Sequence, residues 1–313
     1  MLTRRSRQRL GRFVKQHETK NGFIPEIQGL RTIALLLVAI FHIWFGRVSG
    51  GVDIFLLVSA YLLTRSMLAK AERDQAIAPF RFLARKFARL MPAATVTIVA
   101  VLICSLLVIP LASGAALVGD AIGSLFYVEN FHLQRQSANY FEADQSLASP
   151  FQHFWSLSIQ GQVFIAWALI HAGLTALARR INTSARTLAL WVFGAITIAS
   201  FVYSVWLTGA NQPYAYFDTA ARLWEFGVGS LLAVVQPWIR LSRTASSIAS
   251  WIGLIAAVSC GFVEPVSSNF PGAAALWPTA AATLIILSSG NNTAWGADRV
   301  LSSAILRKLG GYT

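Results

Sequence analysis

Long apolar segments alternate with short polar segments rich in Lys and Arg along the whole chain. A helix needs about 20 apolar residues to cross the hydrocarbon core of a bilayer. Runs of about this length predict roughly eight membrane spans, at 29–46, 52–69, 92–112, 156–177, 188–208, 219–237, 247–263 and 273–290. The predicted fold class is therefore all-α, a polytopic bundle of membrane helices.

A further apolar segment, residues 114–131, is interrupted by Gly114, Gly119, Asp120 and Gly123. Loops that face the cytoplasm are enriched in Lys and Arg. If this segment does not cross the membrane, 22 of the 26 Lys and Arg residues fall on the cytoplasmic side. We therefore predict that it is re-entrant or lies at the outer face.

The ends of the chain suggest its domain organisation. Residues 1–28 are basic and are predicted to be a cytoplasmic tail, and residues 29–313 a transmembrane domain. The N-terminus lacks the pattern of a cleaved signal peptide, so the first apolar run is predicted to be a retained anchor. The final residues, LRKLGGYT, form a basic stretch where another outward span should begin. The C-terminal end of the domain is therefore predicted to be incomplete.

Composition supports a membrane protein. The 313 residues are 55% hydrophobic and 12% charged, with a mean hydropathy of +0.56, whereas soluble domains carry about 25% charged residues. The net charge of +13 would suggest nucleic acid in a soluble protein, but here it follows from the loops, so no nucleic-acid partner is predicted. Cys104 and Cys260 lie in apolar runs and indicate neither a disulfide nor a metal site.

Two ionisable residues interrupt the first apolar run, Arg31 and His42. Their spacing of eleven residues places them on one face of an α-helix, about 16 Å apart along its axis. Ionisable groups within membrane helices are costly and often functional. The alternatives are a polar track through the membrane, or a snorkelling arginine and a hydrogen-bonded histidine. Gly50 and Gly51 then turn the chain, and Asp53 opens the second run.

A basic segment, FRFLARKFARLMP, precedes the third apolar run and contains Arg85, Lys86 and Arg89. We predict a loop that ends at Pro92, where the span begins. Its charges are either ordinary cytoplasmic flank charges or a grip on the phosphates of a cytosolic donor such as coenzyme A.

Two later segments hold further candidates. SPFQHFWSLSIQGQVF contains His153, Trp155, Ser156 and Gln160, which form either an interfacial aromatic belt or part of a site. YFDTAARLWEFGVGSLLA contains Arg222 and Glu225, which can pair because they are three residues apart on a helix. That pair has either a structural or a substrate-binding role. The sequence contains no Walker motif, no GxSxG motif and no His/Cys spacing typical of a metal site.

Together these motifs resemble the acyltransferase 3 family of bacterial integral-membrane enzymes. The carriers of the resemblance are Arg31 and His42 with ten residues between them, the GVD segment at Asp53, and the HFWSLS run. The family usually has a form close to HFWSLSVEEQFY, so Gln160 and Gly161 stand where two glutamates are usual. A glutamine can hydrogen-bond but cannot take a proton. The usual RxxR pattern is represented by Lys86 and Arg89. The later segments resemble members that carry an additional SGNH-type domain, which is absent here.

The resemblance implies O-acylation of an envelope glycan or glycolipid at the outer face, with an acyl group, expected to be acetyl, from cytosolic acyl-CoA and no metal. It places His42 and Arg31 at the catalytic centre. Because the pKa of histidine lies near working pH, we predict that His42 is the general base or a transient acyl carrier. Arg31 is predicted to orient the thioester or its phosphates. Asp53, His153, Trp155, Ser156, Gln160, Arg222 and Glu225 would support the site. It also implies a bacterial plasma-membrane location with a cytoplasmic N-terminus. The alternatives are a transmembrane acyl relay that serves a separate catalytic domain, and a solute transporter.

Overall fold

The computed structural model describes residues 24–46, 49–75, 77–108, 114–140, 149–262, 269–291, 293 and 295–311. Most of the predicted basic tail lies outside these residues. The main described elements are all helices, in chain order: α1 (Pro25–Ile40), which continues as a π-helical segment (Phe41–Phe45), α2 (Gly51–Glu72), α3 (Pro79–Val108), α4 (Gly114–Leu125), α5 (Glu129–Tyr140), α6 (Phe154–Arg180), α7 (Ala185–Phe217), α8 (Thr219–Val235), α9 (Arg243–Ser259), α10 (Leu276–Ser288), α11 (Asp298–Leu301) and α12 (Ala304–Gly310). The all-α prediction is confirmed, with no strand in the described part.

Six of the described helical segments are long and apolar enough to cross a membrane: Pro25–Phe45, Gly51–Glu72, Pro79–Ser105, Phe154–Arg180, Ala185–Phe217 and Arg243–Phe262. They confirm a membrane helix bundle. The two other predicted spans correspond to shorter helices, α8 with 17 residues and Ala273–Ser288. A count of about eight spans therefore stays a prediction.

The prediction that the basic segment is a loop that ends at Pro92 is wrong. Pro92 lies inside α3, which starts at Pro79 and includes the whole basic segment. Arg, Lys, Leu and Ala favour helix formation, so this segment continues the apolar helix instead of forming a loop. A proline inside a membrane helix is tolerated when its surroundings satisfy the freed backbone carbonyl.

The centre of the bundle is formed by α2 and α8, which both contribute to the two largest hydrophobic clusters. The first cluster adds α3, α5, α6 and α7, and the second adds α1, α9, α10 and α11. α2 and α8 approach closely because Gly229 has no side chain: a Cβ atom there would overlap the carbonyl oxygen of Leu57. The predicted turn before α2 is present, with Gly50 at a φ of +72° that favours glycine. These two helices carry Asp53, Arg222 and Glu225 toward the same end of the bundle.

The helix within the predicted non-crossing segment is short. α4 has 12 residues and so extends about 18 Å, less than the roughly 30 Å of a hydrocarbon core. Asp120 on α4 and His132 on α5 are joined by a hydrogen bond, so α4 and α5 fold back on each other. This length is what a re-entrant or interfacial segment requires.

We expect single cysteines at Ala116, near the start of the short segment, and at Arg135, beyond its end, to react from the same side of the membrane. The background would lack Cys104 and Cys260. A membrane-impermeant maleimide applied to intact cells should label both positions, because a helix of this length does not cross. Labelling of one position in intact cells and of the other only after permeabilisation would contradict the topology.

Candidate active site

Two histidines from different parts of the chain meet at one end of the bundle. The rings of His42 and His153 are perpendicular, with centroids 4.3 Å apart. His42 is the second residue of the π-helical segment that continues α1, and His153 is the residue before α6. Short π-helical segments are frequent at functional sites. Both side chains are exposed at the surface of the chain and so remain accessible to another molecule.

A cationic cluster, defined as Arg31, Lys86 and Arg89, lies toward the other end of α1. Arg31 and Arg89 repel each other electrostatically, and both also repel the charge of Lys86. The Lys86 ammonium also lies 5.5 Å from the centre of the Phe164 ring on α6. Arg85 is exposed, and its Nε donates to the carbonyl of Arg81 one turn earlier on α3. The structure therefore brings together three of the four predicted cations.

α1, with its π-helical continuation, and α6 each extend from this cationic cluster to the histidine pair. On α1 the interval runs from Arg31 to His42, and along α6 it runs from Phe164 back to His153. Each interval is eleven residues, about 16 Å in a helix. The two helices thus run in opposite directions between the same two sets of polar residues.

Arg222 is the centre of a buried ionic network. Its Nη1 donates to Oδ1 of Asp53 over 2.7 Å and to Oε1 of Glu225 over 2.9 Å. Its guanidinium carbon lies 5.1 Å from the centre of the Trp155 ring and 5.0 Å from that of Tyr216. The three charged side chains are at most 2% exposed. Because the network joins α2, α6, α7 and α8, it fixes these helices around one point.

Two other predicted residues lie in neither group, and each makes a different contact: one joins two helices, and the other is made within a single helix. Gln160 donates to Oγ of Ser59 and so joins α6 to α2 between the two ends. Ser156 donates to the carbonyl of His153, a contact within the first turn of its own helix. All predicted site residues are thus described, but they fall into separate groups.

A network that the sequence did not indicate holds α5 against α6 and α8. Asn130 donates to Oγ1 of Thr219 over 3.0 Å, and Gln162 donates to Oδ1 of Asn130 over 2.8 Å. Thr219 donates in turn to Oε1 of Gln162 over 2.7 Å. Asp218 starts α8 by accepting from the backbone N–H of Ala221. The only signal in the sequence was Asp218 directly before an apolar helix.

A second unpredicted group lies on α4 and α5. His132 Nδ1 is 2.7 Å from Oδ1 of Asp120, and Glu129 is completely buried beside them. Burial, with a smaller contribution from the Asp120 charge, raises the pKa of Glu129 to about 9. This group belongs to neither the histidine pair nor the cationic cluster.

Comparison with known proteins decides the family. The acyltransferase 3 model, described as an acyltransferase domain, matches residues 24–313. The chain belongs to this family. The predicted family is therefore confirmed, and so is the prediction that the protein is an acyltransferase.

Curated relatives of this acyltransferase 3 chain are similar over part of their length. Peptidoglycan O-acetyltransferase OatA of Listeria monocytogenes is 33% identical over 223 residues, 70% of this chain and 35% of the relative. O-acetyltransferase OatA of Staphylococcus aureus strain NCTC 8325 is 31% identical over 231 residues, 72% and 36% respectively. The putative peptidoglycan O-acetyltransferase YrhL of Bacillus subtilis is 33% identical over 232 residues, again 72% and 36%. The alignments thus span about a third of these relatives. No solved structure matches the chain.

Proposed function

We propose that this acyltransferase moves an acetyl group from cytosolic acetyl-CoA to a hydroxyl of an envelope glycan on the opposite side of the membrane. The supporting observation is that α1 and α6 each extend from the cationic cluster to the histidine pair. The cationic cluster would hold the donor phosphates, because guanidinium and ammonium groups bind phosphate through charge-assisted hydrogen bonds. In this orientation the N-terminus is cytoplasmic, in agreement with its Lys and Arg content.

The chemistry proposed for the other end is acyl transfer assisted by His42. The imidazole takes the proton of the acceptor hydroxyl as its oxygen attacks the thioester carbonyl. The carbon–sulfur bond breaks, an oxygen ester forms, and the imidazolium returns the proton to the departing thiolate. His153, in contact with the His42 ring, is proposed to position that ring for proton transfer.

The buried ionic network of Asp53, Arg222 and Glu225 is proposed to position the site instead of binding substrate. Its side chains are too buried to meet a ligand without rearrangement. Trp155, which stacks on Arg222, is two residues from His153. The network would therefore hold the start of α6, and with it the histidine pair, at a fixed distance from α2 and α8.

The class of acceptor is proposed from the relatives, two of which are named as peptidoglycan O-acetyltransferases. We therefore propose a peptidoglycan-type glycan as acceptor for this chain. The relay alternative differs in one respect, because there the acetyl group passes to a separate catalytic domain before it reaches the glycan.

The experiment that tests the function follows labelled acetyl-CoA with the purified chain in nanodiscs. The proposal predicts release of free CoA and a labelled ester on added glycan fragments. Release of CoA without a glycan ester would favour the relay. No CoA release above a protein-free control, together with uptake of a solute in proteoliposomes, would favour a transporter and contradict the proposal.

We expect the double variant Lys86→Gln with Arg89→Gln to bind acetyl-CoA at least tenfold more weakly, since one hydrogen bond to a charged group contributes about 1.5–3 kcal/mol. Calorimetric titration in nanodiscs measures this affinity, and the difference should shrink at high salt because solvated charges are screened.

The matched control for this prediction is Arg85→Gln. It removes a charge from the same helix but from a side chain that bonds within α3, so its effect should be much smaller. An equal loss of acetyl-CoA affinity in the control and in the double variant would show that the cluster acts only through general surface charge. Unchanged affinity in the double variant would contradict the donor site.

A further inference from the structure

Asp120, Glu129 and His132 form a compact polar group between α4 and α5, here called the acid–imidazole cluster. One potential ligand atom from each side chain lies within 4.8 Å of the other two. Asp120 and Glu129 are buried, at 5% and 0% exposure, whereas the side chain of His132 is 37% exposed. The cluster is therefore largely buried, and its His132 side chain reaches the surface of the chain.

The unusual member of the acid–imidazole cluster is Glu129. Neither of its carboxylate oxygens has a hydrogen-bond partner among the residues that the structure describes. A buried polar group without a partner costs about 1–3 kcal/mol, and more when it is charged. Gly123 on α4 makes room for this carboxylate, because a Cβ atom at that position would overlap Oε2 of Glu129. The side chain is thus directed into the cluster without a protein partner there.

We propose that the acid–imidazole cluster is a binding site for one divalent first-row metal ion, with Zn²⁺ as the best fit. The ligands are a carboxylate oxygen from each of Asp120 and Glu129 and a ring nitrogen of His132. A bound ion provides the partner that Glu129 lacks.

The choice of metal follows from the donor atoms. Imidazole nitrogen suits Zn²⁺ and its first-row neighbours, whereas Ca²⁺ and Mg²⁺ prefer oxygen alone. Zn²⁺ bonds of 2.0–2.2 Å place ligand atoms about 3.5 Å apart in a tetrahedron. Side-chain rotations that open the 2.7 Å contact between His132 and Asp120 and bring the Glu129 carboxylate closer would give this spacing. A water or substrate oxygen can complete the shell from the His132 side.

A metal ion in this position braces a short helical hairpin against the helices of the candidate active site. The backbone N–H of Glu129 donates to Oγ of Ser158 on α6, and Asn130 donates to the carbonyl of Phe217 at the end of α7. The ring of Phe217 in turn packs against that of Trp155, with centroids 5.9 Å apart. Ligation between α4 and α5 ties together two helices that pack into different hydrophobic clusters, because Leu117 of α4 packs with Ile98 of α3 whereas Leu133 of α5 belongs to the first cluster.

The site is tested on the full chain in nanodiscs after removal of metal with a chelator. Zn²⁺ is titrated calorimetrically, and the ion content after desalting is measured by mass spectrometry. We expect one Zn²⁺ per chain, a higher melting temperature with Zn²⁺ than with Ca²⁺, and a Co²⁺-loaded form with a visible absorption spectrum.

The variants are Glu129→Gln and His132→Ala, with Glu72→Gln as the control at a distant, exposed ion pair. Each ligand variant should weaken Zn²⁺ binding by at least the 10–100-fold typical of losing a partner of a metal ligand, and His132→Ala should change the Co²⁺ spectrum. His132 is partly exposed, so this variant tests the site even if Glu129→Gln fails to fold. No stoichiometric Zn²⁺ in the wild-type chain, or equal binding in His132→Ala and Glu72→Gln, would overturn the proposal.

Discussion

Replacing His42 with alanine is expected to lower acetyl transfer by roughly 10²–10⁴-fold, the range typical of a lost general acid–base group. Insertion should survive, because the change removes a polar side chain from an apolar helix and leaves its length unaltered. Release of CoA from acetyl-CoA and formation of the glycan ester measure the two halves of the reaction. His42→Gln should fail as well, since an amide hydrogen-bonds but does not take a proton.

The matched control is Ile43→Ala, which truncates the exposed neighbour of His42 in the same π-helical segment. It tests whether disturbing this segment, without touching the imidazole, is enough to stop transfer. Near wild-type activity in this control and loss in both His42 variants would assign the effect to the ring. A folded His42→Ala protein that acylates its acceptor at the wild-type rate would refute the catalytic role.

Base and carrier roles for His42 separate in one further measurement. Labelled acetyl-CoA is added without acceptor, and the protein is digested and mapped. A labelled adduct on His42 supports a transient acyl-imidazole, as expected for nucleophilic catalysis. If no adduct forms while transfer to acceptor proceeds, the imidazole acts as a base.

The helical architecture could be predicted from the sequence because span length and hydrophobicity follow directly from the thickness of the bilayer. Boundaries were less accurate where a basic segment continued an apolar helix. At α3, Lys and Arg suggested a loop, but they are also good helix formers, and Pro92 did not end the helix. Local composition therefore predicts that a helix exists better than where it begins.

The site was predictable only as far as its local spacing. The three-residue interval between Arg222 and Glu225 predicted their contact, and the pair is present. Asp53 joins the same guanidinium from 169 residues away, which no local pattern indicates. The contact between His42 and His153 is likewise made by tertiary packing. The acid–imidazole cluster gave no signal because its three side chains come from two short helices with no familiar ligand spacing.

Arg222→Leu is expected to prevent accumulation of folded protein, because it leaves Asp53 and Glu225 buried without a cation. Removing one partner of a buried ion pair typically costs about 3–5 kcal/mol, a large part of the stability of an ordinary domain. Heating the detergent-solubilised protein and measuring the folded fraction by size-exclusion chromatography checks this. Glu72→Gln is the control, because its pairing with Arg186 involves a glutamate side chain that is 54% exposed and exposed pairs contribute only about 0–1 kcal/mol.

A triple variant separates stability from positioning. Arg222→Leu combined with Asp53→Asn and Glu225→Gln removes all three charges together, and such neutral replacements of buried ion networks are often tolerated. We expect folded protein to return but the maximal transfer rate to stay low, because neither leucine nor the amides reproduce the contacts of the guanidinium with the rings of Trp155 and Tyr216. Donor affinity should be unchanged, because the proposed donor site lies at the opposite end of α1. Recovery of both folding and transfer in the triple variant would show that the network stabilises the bundle but does not position the site. Wild-type stability in Arg222→Leu would contradict the stabilising role of the network.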